Sequence, residues 1–109
     1  MLEVILGNRT AEKVLLYLAV HRQAYARQLE RAFAVPLSVI QKQLLRLERG
    51  GVLVSRTIGR TRVFEFNPSY ALASELQALL ARALAFVPAS ERAPYEPKRT
   101  RPRISGKRL

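Results

Sequence analysis

Apolar positions along the chain follow one rhythm up to about residue 50 and another after it. Residues 2–6, Leu-Glu-Val-Ile-Leu, form a short apolar stretch stopped by Gly7. A helical turn and a strand both fit it, and the helix is preferred. Asn8 and Thr10 are candidate N-caps, and Glu12 stands where a helix start favours negative charge. From Ala11 to Val20 the spacing predicts a helix that is apolar almost all round, through Val14, Leu15, Leu16, Tyr17 and Leu18. Such a helix is covered on more than one side. His21-Arg22-Gln23 ends it. A shorter helix is predicted over 25–33, with Leu29 and Phe33 on one face beside Ala26 and Ala32, and Arg27, Gln28, Glu30 and Arg31 on the other. After the connection Ala34-Val35-Pro36, with Pro36 suited to a first helical position, a third amphipathic helix runs to Arg49. Its inward residues are Ile40, Leu44 and Leu47, and Gly50-Gly51 stops it.

The rhythm then changes. VLVSRT and RVFEFN are rich in β-branched and aromatic residues, and Ile58-Gly59-Arg60-Thr61 separates them, which predicts a β-hairpin. Phe64 and Phe66 share one face of its second strand, the face expected to be buried. Asn67-Pro68-Ser69 breaks the strand and starts a last helix, from Tyr70 to Phe86 or Val87. Its only polar residues are Ser74, Glu75, Gln77 and Arg82, and at 100° per residue they fall inside roughly 160°. The apolar remainder is wider than one small core can cover, so a second surface is expected to meet it.

Composition narrows the chemistry. The 109 residues suit one domain, with 19 Lys+Arg against 8 Asp+Glu, a net charge of +11, one His and no Cys. All the acids are glutamates. A disulfide framework, a thiolate metal site and a cysteine nucleophile are excluded, as is a His/Cys metal cage built on His21 alone. A Ser-His-Asp triad lacks its Asp, although a Glu could replace it. No apolar run approaches the roughly 18 residues of a membrane span. The opening MLEVILGNRT has no basic stretch ahead of its apolar residues, so it does not read as a secretory signal. The expectation is a soluble cytoplasmic protein with anionic partners. Residues 1–87 are expected to form the domain. Residues 88–109, with seven basic residues, two acids and four of the six prolines, read as a flexible basic tail.

The predicted order is three helices, a two-stranded hairpin and a long C-terminal helix, with a short turn between the second and third helices. That is a mainly α winged helix-turn-helix with a β-hairpin wing. GNRTAEKVLLYLAVH, then YARQLERAFAVPLSVIQKQLLRLERGGVLVSRTIGRTRVFEFNPSY, then ELQALL resemble the small bacterial and archaeal winged-helix regulators of the ArsR-like superfamily over about residues 2–86. The resemblance implies DNA binding, transcriptional regulation and dimerisation. The chain departs from that pattern in three places. Ala34 replaces the usual Gly of the turn, Pro36 replaces the usual Ser or Thr cap, and the Cys and His ligands of metal-sensing members are missing, which removes that kind of sensing.

On the third helix Ser38, Gln41, Lys42 and Arg49 point outward, with Gln43 and Arg46 flanking them. Gln, Lys and Ser can approach base edges in a major groove, although a merely solvated face has the same composition. Leu45 sits beside this face, and both packing under the wing and contact with a thymine methyl fit it. Arg56, Arg60 and Arg62 of the hairpin suit phosphates or a narrow minor groove, or edge protection. Lys98, Arg99, Arg101, Arg103, Lys107 and Arg108 form a basic arm that would raise affinity through counterion release, or a solubilising tail. Glu30 and Glu48 lie beside arginines as ion-pairing surface residues do, and no acids are spaced as an acid/base pair.

The expected function is sequence-specific binding of double-stranded DNA by a homodimeric, non-enzymatic regulator, with no cofactor, metal or membrane partner. The candidate dimer residues are Val4, Ile5 and Leu16 near the N-terminus and Leu72, Leu76, Leu79, Leu80, Ala83, Leu84 and Phe86 on the last helix. The alternative is a protein-interaction module whose tail binds RNA or an acidic partner. Lys42, Arg56, Arg60 and Arg62 favour the first, because they fall on the helix and wing that meet DNA in this fold.

Overall fold

The stretch that is apolar all round becomes the centre of the molecule. A computed structural model describes residues 1–97. In order come α1 (Glu3–Leu6), α2 (Arg9–His21), β1 (Gln23–Tyr25), α3 (Ala26–Phe33), α4 (Leu37–Arg49), β2 (Leu53–Ile58), β3 (Thr61–Phe66) and α5 (Ala73–Leu84). Two single 3-10 turns follow, Ala89–Glu91 and Ala93–Tyr95. Asn8 caps α2: its Oδ1 accepts from the Ala11 N–H at 2.7 Å, satisfying one of the free donors of the first turn. Ala11 and Val14 through Leu18 are all buried, because α1, α4, α5 and the second 3-10 turn pack around α2. Leu29 of α3, Ile40, Leu44 and Leu47 of α4, Leu53 and Phe64 of the hairpin and Leu80 of α5 complete one core.

The hairpin forms as the alternation predicts. Ile58 pairs with Thr61 around Gly59-Arg60, with Gly59 at φ +65, a two-residue turn of the kind that favours Gly at its first position. Asn67 ties the base of the hairpin: its N–H bonds the Val52 carbonyl at 2.9 Å and its Nδ2 donates to the Gly51 carbonyl at 2.9 Å. The sheet has a third strand that the periodicity does not reveal. β1 pairs antiparallel with β3, Ala24 opposite Phe64, giving the order β1-β3-β2. Three residues are too few to show an alternation.

Two boundaries differ from expectation. The last helix starts at Ala73 instead of Tyr70, because Tyr70 and Ala73 first close two separate turns onto Asn67 and Tyr70. It ends at Leu84, after which Ala85, Phe86 and Val87 make tighter three-residue bonds ahead of Pro88, which has no N–H to continue a helix. Residues 88–97, assigned to the tail, instead fold back on α2 and α3. Tyr95 is half-buried against Phe33, ring centroids 5.6 Å apart, and the His21 Nε2–H donates to the Pro94 carbonyl at 2.9 Å. Tyr95 joins an aromatic group of Tyr17, His21 and Phe33, and that burial offsets the ordering of a short segment. The tail cations from Lys98 to Arg108 lie outside the described residues.

Candidate nucleic-acid interface

The turn between α3 and α4 sets the direction of α4. Ala34 closes α3 at φ +55, in the left-handed region, and its N–H bonds the Glu30 carbonyl at 2.8 Å. That conformation costs a residue with a Cβ about 1 kcal/mol, which is the strain a glycine would relieve. Pro36 caps α4 without a side-chain bond, its carbonyl accepting from Val39 at 3.0 Å and Ile40 at 3.2 Å. With Ile40, Leu44 and Leu47 buried, Ser38, Gln41, Lys42, Leu45 and Arg49 form one exposed stripe.

Gln43 does not join that stripe, whereas Arg46 flanks it, exposed but held by internal partners. Gln43 is buried, and its Oε1 accepts from Asn8 Nδ2 at 3.1 Å and from Arg46 Nε at 3.0 Å. The second arm of Arg46 donates to the Leu6 carbonyl at 3.2 Å. An amide oxygen has two lone pairs, and both are used here to brace α4 against the α1–α2 junction. Arg46, a sequence candidate for DNA contact, stays exposed while these two bonds tie it to that junction.

The wing arginines are differently committed. Arg62 pairs with Glu48 at the end of α4, and its Nε donates to Ser55 Oγ at 2.9 Å. Ser55 in turn donates to the other oxygen of Glu48 at 2.5 Å, closing a triangle between α4 and the two wing strands. The Arg62 guanidinium also lies over the Phe64 ring, 5.1 Å from its centroid. Arg56 reaches Glu65 at 3.8 Å and Gln23 at 3.1 Å. Lys42, Arg49 and Arg60 form no ion pair among the described residues.

Between α4 and the wing lies an open groove of about 620 Å³, lined by Gln41, Leu45, Arg60 and Thr61, with Tyr25 and Arg27 from the start of α3. Tyr25 and Arg27 were not singled out from sequence. Tyr25 ends the three-residue strand, where no period marks a face, and Arg27 looks like any cation on an amphipathic helix. Leu45 lines this groove and keeps 37% exposure.

No protein-family model matches the chain, and no curated protein matches it. Among solved structures it is similar to the adhesin competence repressor (AdcR) of Streptococcus pyogenes, with a TM-score of 0.56 and 18% identity over 77% of this chain and 70% of that one. The fold is a winged helix-turn-helix. α3 and α4 form the helix-turn-helix, α4 holds the position of the recognition helix, and β2 and β3 are the wing.

The candidate dimer residues divide. Leu16, Leu80 and Ala83 are buried in the core of the single chain, because α5 turns that edge onto α2. Their side chains serve the core of the single chain, which corrects their assignment to an outer apolar face. Leu76 and Leu84 are half-buried against the same core. Val4 at 89% exposure, Ile5 at 70%, Leu72, Leu79 and Phe86 remain open to solvent. Met1 and Glu3 share a groove with Ala83 and Phe86, which places α1 beside the end of α5.

Other chemistry is sparse. Among the described residues no three His, Cys, Asp or Glu side chains gather as a metal site, and no helix is long and apolar enough to cross a membrane. Burial raises the Tyr95 phenol above its ordinary range, with Glu12 and Glu91 adding to the shift. Burial also raises Tyr17, with a smaller contribution from Tyr25.

Proposed function

We propose that this chain is a cytoplasmic transcriptional regulator that binds double-stranded DNA sequence-specifically as a homodimer, within the ArsR-like group its sequence resembles. The observation that carries the reading is the groove in which Gln41 and Leu45 of the exposed α4 stripe meet Arg60 of the wing tip, with Lys42 and Arg49 exposed on the same stripe and, like Arg60, in no ion pair among the described residues. Ser38, Gln41 and Lys42 approach base edges in the major groove. Arg49 and Arg60 meet phosphates, with Arg56 beside them. Arg62 holds the wing to α4 through Glu48. The winged-helix neighbour, itself described as a repressor, supports a regulatory role.

The dimer reading rests on the apolar surface left on α1 and α5. Val4, Ile5, Leu72, Leu79 and Phe86 are exposed and Leu76 and Leu84 half-buried, apolar surface that a second copy would cover. A two-fold axis there would present two α4 helices to major grooves about 34 Å apart. Selection of bound duplexes from random DNA tests both parts. Enrichment of an inverted repeat with half-sites about one helical turn apart is the expected result. A pool without any enriched sequence overturns the reading.

A further inference from the structure

We infer that Leu45 sets part of the sequence preference, its isobutyl group taking the 5-methyl of a thymine in the major groove. The inference rests on the DNA reading above and adds to it a specificity residue and the base that residue meets. Leu45 is the one apolar member of the exposed α4 stripe that also holds Ser38, Gln41, Lys42 and Arg49. At 100° per residue it stands within about 40° of Ser38 and Arg49, with Gln41 to one side and Lys42 to the other. It therefore lies near the middle of the face opposite buried Ile40, Leu44 and Leu47.

Folding does not use it there. Those three residues make the inward contacts of α4, and Leu45 belongs neither to the core nor to the partly buried hydrophobics packed against it. It keeps 37% exposure, where its neighbour Leu44 has 0%. Packing under the wing does not account for such a leucine. A protein partner would meet it ringed by the Lys42 and Arg49 cations, with Arg60 and Thr61 across the groove, and charged residues are depleted at the centre of protein interfaces. A duplex matches both halves of this surface. Its phosphates suit the cations, and the thymine methyl is the apolar group that the four bases show in the major groove. Gln41, one helical turn before Leu45, lines the same groove. Side chains so spaced are about 5–6 Å apart, and successive base pairs rise about 3.4 Å. The thymine should thus lie within about two pairs of the base that Gln41 reads.

The test uses the duplex that the full-length protein enriches from random DNA, with each thymine replaced singly by uracil, which removes only the methyl. One thymine in each half-site is expected to show about a fourfold loss of affinity, within about two pairs of the position that Gln41→Ala relaxes. Leu45→Ala, or Leu45→Gln if the first lacks a cooperative melting transition, should bind the thymine and uracil duplexes alike. A merely structural role would weaken both duplexes together and leave the gap between them. 5-Methylcytosine carries the same methyl, so the parent is also assayed with a 5-methylcytosine·guanine pair at that position; tighter binding there than to thymine·adenine overturns the assignment to thymine. An enriched duplex in which no uracil weakens the parent, or a gap that persists in the Leu45 variant, overturns the inference and leaves the DNA reading standing. If no duplex is enriched, the DNA reading fails and the inference fails with it.

Discussion

Glu48 holds Arg62 at the junction of α4 and the wing, so removing an acid there should strengthen DNA binding. The pair is only partly buried, with the Glu48 side chain 26% exposed and that of Arg62 50%. Such a pair contributes at most about 1 kcal/mol to folding, and Glu48→Gln keeps one of the two acceptor oxygens that Ser55 and Arg62 use. The fold should therefore survive. With the carboxylate charge gone, Arg62 can reach a phosphate of bound DNA. One added phosphate contact steepens the log–log salt slope by about 0.9, which amounts to roughly fivefold in affinity near 0.15 M salt. Fluorescence anisotropy with a labelled duplex of unrelated sequence, across a salt series, reads both quantities. In the parent, Arg62→Ala should change the slope less than Arg60→Ala, because Arg62 is already neutralised. The Glu48→Gln, Arg62→Ala double variant should lose the gain. Unchanged binding by Glu48→Gln, or an equal gain in the double variant, would refute the reasoning.

Three further outcomes follow from the packing. Asn8→Ala removes the α2 cap and the donor to buried Gln43, each worth about 1 kcal/mol; urea unfolding should show a loss of about 2 kcal/mol, and a loss under about 0.5 kcal/mol contradicts the bracing role. Leu79→Glu should yield a folded monomer in sedimentation at micromolar concentration, whereas its buried neighbour Leu80→Ala should cost about 2–5 kcal/mol of stability and leave association intact. A parent that already sediments as a monomer sinks the dimer proposal. Tyr95 has its pKa raised by folding, so it contributes stability that is fully present below the ordinary phenol value of 10.0 and is lost as pH rises above it. The urea midpoint of the parent should fall more steeply above that pH than the midpoint of Tyr95→Phe, and parallel curves would count against burial of the Tyr95 segment.

Long periodic segments made much of this architecture legible. The inward set of α4 and the alternation of Phe64 with Phe66 depend only on local spacing, which the sequence displays directly. So does the closure of the hairpin at Gly59. What escaped was set by partners far along the chain. β1 exists because β3 pairs with it, and Gln43 is buried because Asn8, 35 positions earlier, donates to it. Residues 88–97 fold back because Phe33 and His21 receive Tyr95 and Pro94. In a segment rich in proline and charge, one tyrosine and a carbonyl contact leave no periodic trace. The same holds for the site. Gln41, Lys42 and Arg60 are legible as exposed polar positions on predicted elements, whereas the commitment of Arg46 and Arg62 to internal partners requires the tertiary contacts. The apolar excess of the last helix was legible as an amount. Its division between the core, at Leu80 and Ala83, and the outer face, at Leu72 and Leu79, depends on how α5 lies against α2.

In the proposed function the exposed stripe of α4 reads bases while the wing tip follows phosphates. Its most direct test compares the parent with Gln41→Ala and Arg60→Ala, each binding the selected duplex and an unrelated one across a salt series. Gln41→Ala should narrow the gap between the two duplexes, at a cost of about 1–3 kcal/mol on the selected one. Arg60→Ala should weaken both alike and lower the salt slope by about one. If both variants bind both duplexes as the parent does, this surface is not where the protein meets DNA.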